Sequence, residues 1–309
     1  MVQRENPMTT ENILIKDKNY RLCIGYQDNE TLRLEFNRMT QHFWEFDFEN
    51  YYQSGFWDDK CILYSLFDED KIVAHITVSL FEQEGKILIQ LGTVMTDENY
   101  QRQGLSSFLL RRISSDFVHQ IKGMFLFANN TVLDFYPKFD FFPVPEYTAF
   151  QTVKNTNMTI VLTKRKLNLD NAEDLKLFEN LVEQAVSNTQ FQTKSKGLAL
   201  FYCYAYPTMG FKESIYYIDE LNCAVVAQVE NNILYMIELF SKNEVDLNVV
   251  INAFADFSFT EVVFGFTPKH TEGLEWRIWK EDDLQLFVTR ELLSFFEEEH
   301  MKVATLSHT

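Results

Sequence analysis

Three β-like stretches follow one another with almost no chain between them, and that limits the fold more than any other feature. Residues 61–67 (CILYSLF) end at the acidic turn Asp68-Glu69-Asp70, residues 71–81 return, and a turn at Glu84-Gly85 leads into residues 86–96. Connections this short join antiparallel neighbours, so the segment predicts a three-stranded meander. Leu105, Phe108, Leu109, Ile113 and Phe117 then recur at helical spacing over residues 105–118, and residues 124–128 read as a short apolar strand. Upstream, residues 21–26 read as a strand. Residues 28–48 read as a helix through Leu32, Phe36, Met39, Phe43 and Phe46, capped by Asp28 or Asn29. Downstream, residues 131–139 read as a short helix that Pro137 should stop, and residues 141–153 as one further strand. The order β-α-β-β-β-α-β-α-β predicts an α/β (α+β) fold with a mixed central sheet flanked by helices.

Composition narrows the function. The chain has 309 residues, 46% of them hydrophobic, too apolar for intrinsic disorder and long enough for about two domains. Asp and Glu number 45 against 28 Lys and Arg, a formal charge of −17. Such a surface opposes phosphate backbones and anionic bilayers, so neither nucleic acid nor membrane is an expected partner. The ten glycines form neither a multi-glycine dinucleotide fingerprint nor a P-loop. No run approaches the roughly 18 apolar residues of a membrane helix, and the polar first twenty residues lack a signal-peptide core; a cytoplasmic protein is expected. Cys23, Cys61, Cys203 and Cys223 lie far apart, which suits buried reduced thiols. The six histidines are equally scattered, and no metal site is expected.

The second half reads as a weaker copy of the first. Residues 174–186 are helical, residues 224–228 and 233–240 form a hairpin around Glu230-Asn231-Asn232, residues 245–257 are helical and residues 261–267 form a strand. The division is placed at 1–160 and 161–309, beside the basic run Thr163-Lys164-Arg165-Lys166. Both parts are acidic, with 15 basic against 22 acidic residues in the first and 13 against 23 in the second.

Chemistry concentrates between the third strand of the meander and the helix after it. Here Asp97-Glu98-Asn99-Tyr100-Gln101-Arg102-Gln103-Gly104 forms a polar loop, and the helix begins with Leu105-Ser106-Ser107. A helix start leaves N–H groups unpaired and partly positive, which suits an anion. Gly104 lets backbone approach without a Cβ, the two serines add hydroxyls, Arg102 adds charge, and Arg111 and Arg112 follow on the helix. The loop suits a pyrophosphate.

Gln101-Arg102-Gln103-Gly104-Leu105-Ser106 fits the pattern Q/R-x-x-G-x-G/A at its first four positions, with Ser in place of the last Gly or Ala. Downstream, Asn129 precedes Phe135-Tyr136-Pro137-Lys138-Phe139-Asp140-Phe141, similar to an Asn, a short helix and FYxKxGF, with Asp140 in place of Gly. These two blocks and the element order resemble the GNAT superfamily of N-acetyltransferases over residues 20–155. The resemblance implies a GNAT-like fold with acetyl-CoA as cosubstrate. Backbone at Met95 and Thr96 would meet pantetheine, residues Gln101, Arg102, Gln103, Gly104, Leu105, Ser106 and Ser107 would hold the pyrophosphate, and Asn129 would contact pantetheine. Tyr136 would act as general acid to the CoA thiolate, in a direct transfer without an acyl-enzyme. No base is assigned, although Asp97, Glu98 and Gln90 lie near the strand end.

The implied acceptor is a primary amine of a small cationic molecule or a peptide. By the same resemblance the aromatic and acidic run 43–59 would line its pocket, where carboxylates and rings attract a cation; packing of aromatics at a helix end with a solvated acidic face explains that run slightly better. In the second half, Phe240-Ser241-Lys242-Asn243-Glu244-Val245-Asp246 replaces the phosphate loop. It has no glycine and gains two carboxylates, Glu244 and Asp246, which would repel a pyrophosphate. The reading is therefore a tandem protein with a degenerate second GNAT-like domain that lacks its own CoA site. That domain would complete the acceptor pocket or form a dimer interface in a homo-oligomer. The alternative function is a non-enzymatic acyl-CoA-binding regulatory or interaction module.

Overall fold

The computed structural model describes residues 8–83, 85–153, 162–208 and 210–308. A hairpin of β1 (Thr9–Ile15) and β2 (Lys18–Ile24) opens the chain. Helix α1 (Glu30–Trp44) follows, capped by Asn29, whose side chain accepts from the Leu32 N–H at 3.2 Å. A short α2 (Glu49–Gln53) leads into the meander β3 (Cys61–Asp68), β4 (Lys71–Gln83) and β5 (Lys86–Thr96). Helix α3 (Leu105–Phe117) then crosses over to β6 (Ile121–Asn129), which lies parallel to β5, as a crossover helix allows. After it come β7 (Phe141–Pro143), β8 (Glu146–Thr152), β9 (Lys164–Lys166), α4 (Ala172–Gln184) and α5 (Lys196–Leu200). The remainder is β10 (Ile215–Ile218), β11 (Cys223–Glu230), β12 (Ile233–Ser241), α6 (Leu247–Asn252), β13 (Glu261–Phe264), β14 (Glu275–Trp279), β15 (Leu284–Thr289) and α7 (Leu293–Glu297).

The elements form two mixed sheets in two compact units. One unit holds Met1–Pro143 with Asp283–Leu293, the other Val144–Asp282 with Ser294–His308. The first sheet runs β1-β2-β3-β4-β5-β6-β15-β7, the second β14-β8-β13-β12-β11-β10-β9. The expected boundary at 160/161 falls outside the described residues. The single strand expected over 141–153 is two strands in two sheets. Pro143 and Pro145 flank Val144, and neither can donate a ladder hydrogen bond, so the run breaks there. Glu146–Thr152 pairs with β13 and β14 instead. The free edge of β6 is taken by β15, a strand from late in the chain.

Two other expectations change. The helix over 131–139 reduces to one 3-10 turn at Tyr136–Phe139, which Pro137 opens rather than stops; a proline fits a first helical turn, whose N–H has no partner anyway. The helix over 245–257 shortens to α6, capped by Asp246 through the Asn248 N–H at 2.8 Å. All four cysteines are buried and outside any disulfide.

The two faces of the first sheet differ in kind. Side chains alternate along β4. Ile76 and Val78 join Leu105, Leu109, Leu110 and Ile113 of α3 in an apolar core. His75, Thr77 and Ser79 point the other way and are also buried, on the face where the Phe36 ring of α1 lies 4.6 Å from the His75 ring. Buried polar groups of α1, Arg33, Asn37 and Thr40, continue this polar layer.

In the second unit Gly265 sits where no Cβ fits. An added Cβ would stand 2.6 Å from the Ile237 carbonyl oxygen and 2.8 Å from Thr305 Oγ1. Its N–H donates to the Met236 carbonyl, and its own carbonyl accepts from the Thr305 N–H, each at 2.8 Å. The Ile237 backbone cannot yield easily, so Gly265→Ala should destabilise the protein by about 1–3 kcal/mol. Urea titration checks this; an unchanged midpoint would mean that the two segments separate at little cost.

Candidate active site

The parallel ladder between β5 and β6 runs from Ile87 opposite Ile121 to Leu91 opposite Leu126, and then stops. Both strands continue, β5 to Thr96 and β6 to Asn129, each held by its outer neighbour. The partner of β5 is β4, through Ala74 opposite Thr96, and the partner of β6 is β15, through Leu284 opposite Asn129. The two inner edges therefore part, and a slot opens between them. The cause lies in β5, whose register against β4 shifts between His75 and Thr77, so that β5 carries extra chain there. Such a bulge bends a strand and increases its twist. Thr93 lies in the bulge with φ +43°. That conformation is unusual for a β-branched residue and costs about 1–3 kcal/mol.

From the end of β5 the chain enters a 3-10 turn, Glu98–Tyr100, capped by Asp97. Lys71 pairs with Asp97 at 2.6 Å and holds its carboxyl below the usual range. Tyr100 donates to Asp68 at 2.5 Å. Arg102 then takes φ +61° and Gly104 φ +91°, and α3 begins. No side chain caps α3 and no acid stands in its first turn. In contrast, α1 is capped by Asn29 with Glu30 in its first turn, and α4 by Asn171 with Glu173 and Asp174. The N–H groups that open α3 are left for an external acceptor, with nothing within 4 Å of where a Gly104 Cβ would be. These features fit a pyrophosphate.

The individual residues take distinct parts. Gln101 and Arg102 are exposed. Gln103 accepts from the Tyr20 hydroxyl at 3.2 Å and donates to the Asn99 carbonyl at 3.1 Å, which holds the loop. Leu105 and Met95 bury their side chains, so only their backbone is open to a ligand. The Ser106 hydroxyl meets that of Thr96 at 2.5 Å and ties the first turn of α3 to the end of β5; Ser107 is half-buried. Asn129 ends β6 and accepts from the Thr131 N–H at 3.0 Å, capping a turn. Arg111 and Arg112, which follow on the helix, stand apart from the loop. Arg112 is held by Glu11 at 2.6 Å and Asp116 at 2.8 Å, and Arg111 lies over the Phe139 ring at 5.6 Å. At 1.5 Å per residue both stand about 10 Å along the helix from its start, leaving Arg102 as the cation of the loop.

Tyr136 is buried among Phe135, Phe141 and Phe287, with ring centroids at 5.2, 6.2 and 5.7 Å. Burial pushes its hydroxyl up to about 12. It belongs to the same core cluster as Leu105, Leu109 and Ala128, which brings it to the α3 face of the sheet.

The aromatic and acidic run 43–59 is mostly packing. Trp57 is buried, donates to the Cys61 carbonyl at 3.0 Å and stacks on Tyr51 at 5.3 Å. Glu49 pairs with buried Arg33 at 3.0 Å and accepts from Asn37 at 2.8 Å. Phe43 and Trp44 stay open, 36% and 39% exposed.

One set of residues escaped the sequence reading. Tyr26, Ser65, His75, Thr77 and Thr93 form a hydrogen-bonded series that ends at the bulge. Burial holds His75 down at about 3, so its ring is neutral at pH 7. The signal was available, since His75-Ile76-Thr77-Val78-Ser79 alternates polar and apolar, which places a histidine and two hydroxyls on one buried face.

Residues 29–141 match the acetyltransferase (GNAT) family model. A conserved protein of Enterococcus faecalis described as a probable N-acyltransferase has a similar structure, with a TM-score of 0.50 at 13% identity, over 95% of this chain and 75% of that one. A GCN5-related N-acetyltransferase of Kribbella flavida aligns with a TM-score of 0.47 at 12% identity, over 86% of this chain and 71% of that one. No curated protein matches the chain. Among the described residues, no helix is long and apolar enough to cross a membrane, and no three His, Cys, Asp or Glu side chains are grouped to hold a metal ion.

Proposed function

We propose that the protein, whose residues 29–141 match the acetyltransferase (GNAT) family model, is an N-acetyltransferase that moves acetyl from acetyl-CoA directly to a primary amine of a small cationic molecule or peptide. The observation that carries this reading is the slot between β5 and β6 beside the uncapped, acid-free start of α3. Residues Gln101 to Ser107 hold the pyrophosphate through backbone N–H groups, with Arg102 adding charge. The β5 edge past Leu91, including Met95 and Thr96, receives the pantetheine arm, and Asn129 faces it from the end of β6. Acetyl-CoA supplies an activated acyl group, and the protein supplies donors for the charge that develops during attack.

Tyr136 serves as the acid. Burial keeps its hydroxyl protonated across the neutral range, so it can give a hydrogen bond to sulfur as the C–S bond breaks. A thiol near 8.5 is the stronger acid, so the proton is shared as charge develops rather than handed over beforehand.

The second unit carries no equivalent anion site on this reading. The turn between β12 and α6 leads to a helix start already capped by Asp246, whose carboxylate would repel pyrophosphate.

Acetyl-CoA should raise Tm, and an amine panel followed by thiol release should find turnover. Stabilisation without thiol release would favour the binding module, and no stabilisation would sink both. For the acceptor side the informative substitution is Trp44→Ala. Trp57 is part of the core, and its loss would confound kinetics with folding. Trp44→Ala should raise KM for a cationic amine about two- to fivefold, the worth of roughly 0.5–1 kcal/mol of cation–π attraction, with Tm nearly unchanged. An unchanged KM would remove Trp44 from the acceptor pocket.

A further inference from the structure

We propose that Thr93 is a hydrogen-bond donor of the transfer site, its hydroxyl proton turned outward by four buried positioning residues, Tyr26, Ser65, His75 and Thr77. This rests on the acetyltransferase reading and adds a residue to it. The series begins at Tyr26, which has no exposed surface and whose hydroxyl lies 2.6 Å from Ser65 Oγ. Ser65 Oγ lies 2.7 Å from His75 Nδ1, and His75 Nε2 lies 2.9 Å from Thr77 Oγ1. Thr77 Oγ1 in turn meets Thr93 Oγ1.

The direction of these bonds follows from the closed end. Among the described residues, Ser65 is the one hydrogen-bond partner of the Tyr26 hydroxyl. A phenol sealed from water must place its proton, so Tyr26 donates to Ser65. Ser65 then gives its own proton to Nδ1. A neutral imidazole has one N–H, so the ring carries it on Nε2 and donates to Thr77. Thr77 donates to Thr93. The Thr93 oxygen is thereby used as an acceptor, and its own proton has no acceptor within the series. The opposite order would strand the Tyr26 proton in a dry interior, where an unmade bond costs its full desolvation. Bonds aligned in one direction also polarise one another, which makes the terminal hydroxyl a better donor.

Position gives the terminal donor its use. Thr93 is half-buried and lies two residues beyond Leu91, where the β5–β6 ladder ends, in the bulge with its backbone at positive φ. As the amine nitrogen bonds to the thioester carbon, the carbonyl π pair moves onto oxygen, and Thr93 donates to that oxygen. The pair then returns, the C–S bond breaks, sulfur leaves against the Tyr136 hydroxyl, and the surplus proton on nitrogen passes to solvent.

The test uses the full chain. Nitrogen-15 NMR of the His75 ring should show Nε2 protonated and Nδ1 bare, and a proton on Nδ1 would overturn the proposal. Thr93→Val, which keeps the shape, should lower kcat about a hundredfold, as loss of one such donor does. Thr93→Ser should recover most of that loss, and KM for acetyl-CoA should stay within about twofold in both. Tyr26→Phe should lower kcat less and mix the two His75 tautomers, because Ser65 is then free to turn. Wild-type kcat in Thr93→Val would overturn the role of Thr93 while leaving the acetyltransferase reading intact. No transfer by the wild-type chain to any amine would overturn both.

Discussion

Replacing Gly104 with aspartate is expected to abolish the stabilisation that acetyl-CoA gives the wild-type chain, leaving Tm equal with and without ligand. Two causes act together. Gly104 has φ +91°, a region where an L side chain costs about 1–2 kcal/mol. The new carboxylate would also stand at the open start of α3, compete for its N–H groups and repel pyrophosphate. At a hundredfold excess over Kd the wild-type gain is about 2.7 kcal/mol, which for units of this size corresponds to roughly 5–10 °C in Tm. Differential scanning fluorimetry with and without acetyl-CoA reads this directly. Gly104→Ala separates the causes. Open space surrounds its Cβ position, so alanine carries only the backbone strain and should retain part of the shift. If aspartate keeps the full shift, the pyrophosphate is held elsewhere.

The second large effect is at Tyr136. Tyr136→Phe should lower kcat about 10²-fold, the lower end for loss of a general acid. The low end is expected because a hydroxyl at about 12 shares its proton with sulfur rather than surrendering it. The ring contacts with Phe135, Phe141 and Phe287 survive in phenylalanine, so Tm and the acetyl-CoA shift should stay at wild-type values. The sign of the pH effect follows from the raised value. The active form is the protonated one, so ionisation of Tyr136 should not reduce kcat until the pH approaches 12, about two units above an ordinary tyrosine. A kcat profile in which Tyr136→Phe removes a limb near pH 10 would contradict this burial. Turnover equal to wild type would end the assignment of Tyr136 as acid.

The meander, α1 and α3 were legible because each is an apolar pattern in contiguous chain, and the loop 97–104 was legible because a lone glycine before a helical run has few other uses. Pro137 misled the local reading, since the same residue that ends one helix can open a turn. Arg111 and Arg112 are close to the loop in sequence only. Along a helix axis they are well removed from its start, and Arg112 is already neutralised by Glu11 and Asp116. The polar series on β4 could have been read from its alternation. Its members Tyr26, Ser65 and Thr93 could not, because they come from other elements and join only when register is set.

The amino-acid sequence by itself determined the meander, the helices α1 and α3, where the chain offers an anion a bare helix start, and how acidic the background is. Periodicity, capping and net charge are local or additive, and they survive without knowing the fold. Tertiary structure alone decided that β8 and β15 enter sheets away from their sequence neighbours, that β5 and β6 part after Leu91, and that Thr93 ends a buried series of donors. Each of these depends on which edge a strand meets and on a register shift of one bulge. Backbone hydrogen bonding is the same for every residue type but proline, so such choices are made largely by the packing of the whole sheet.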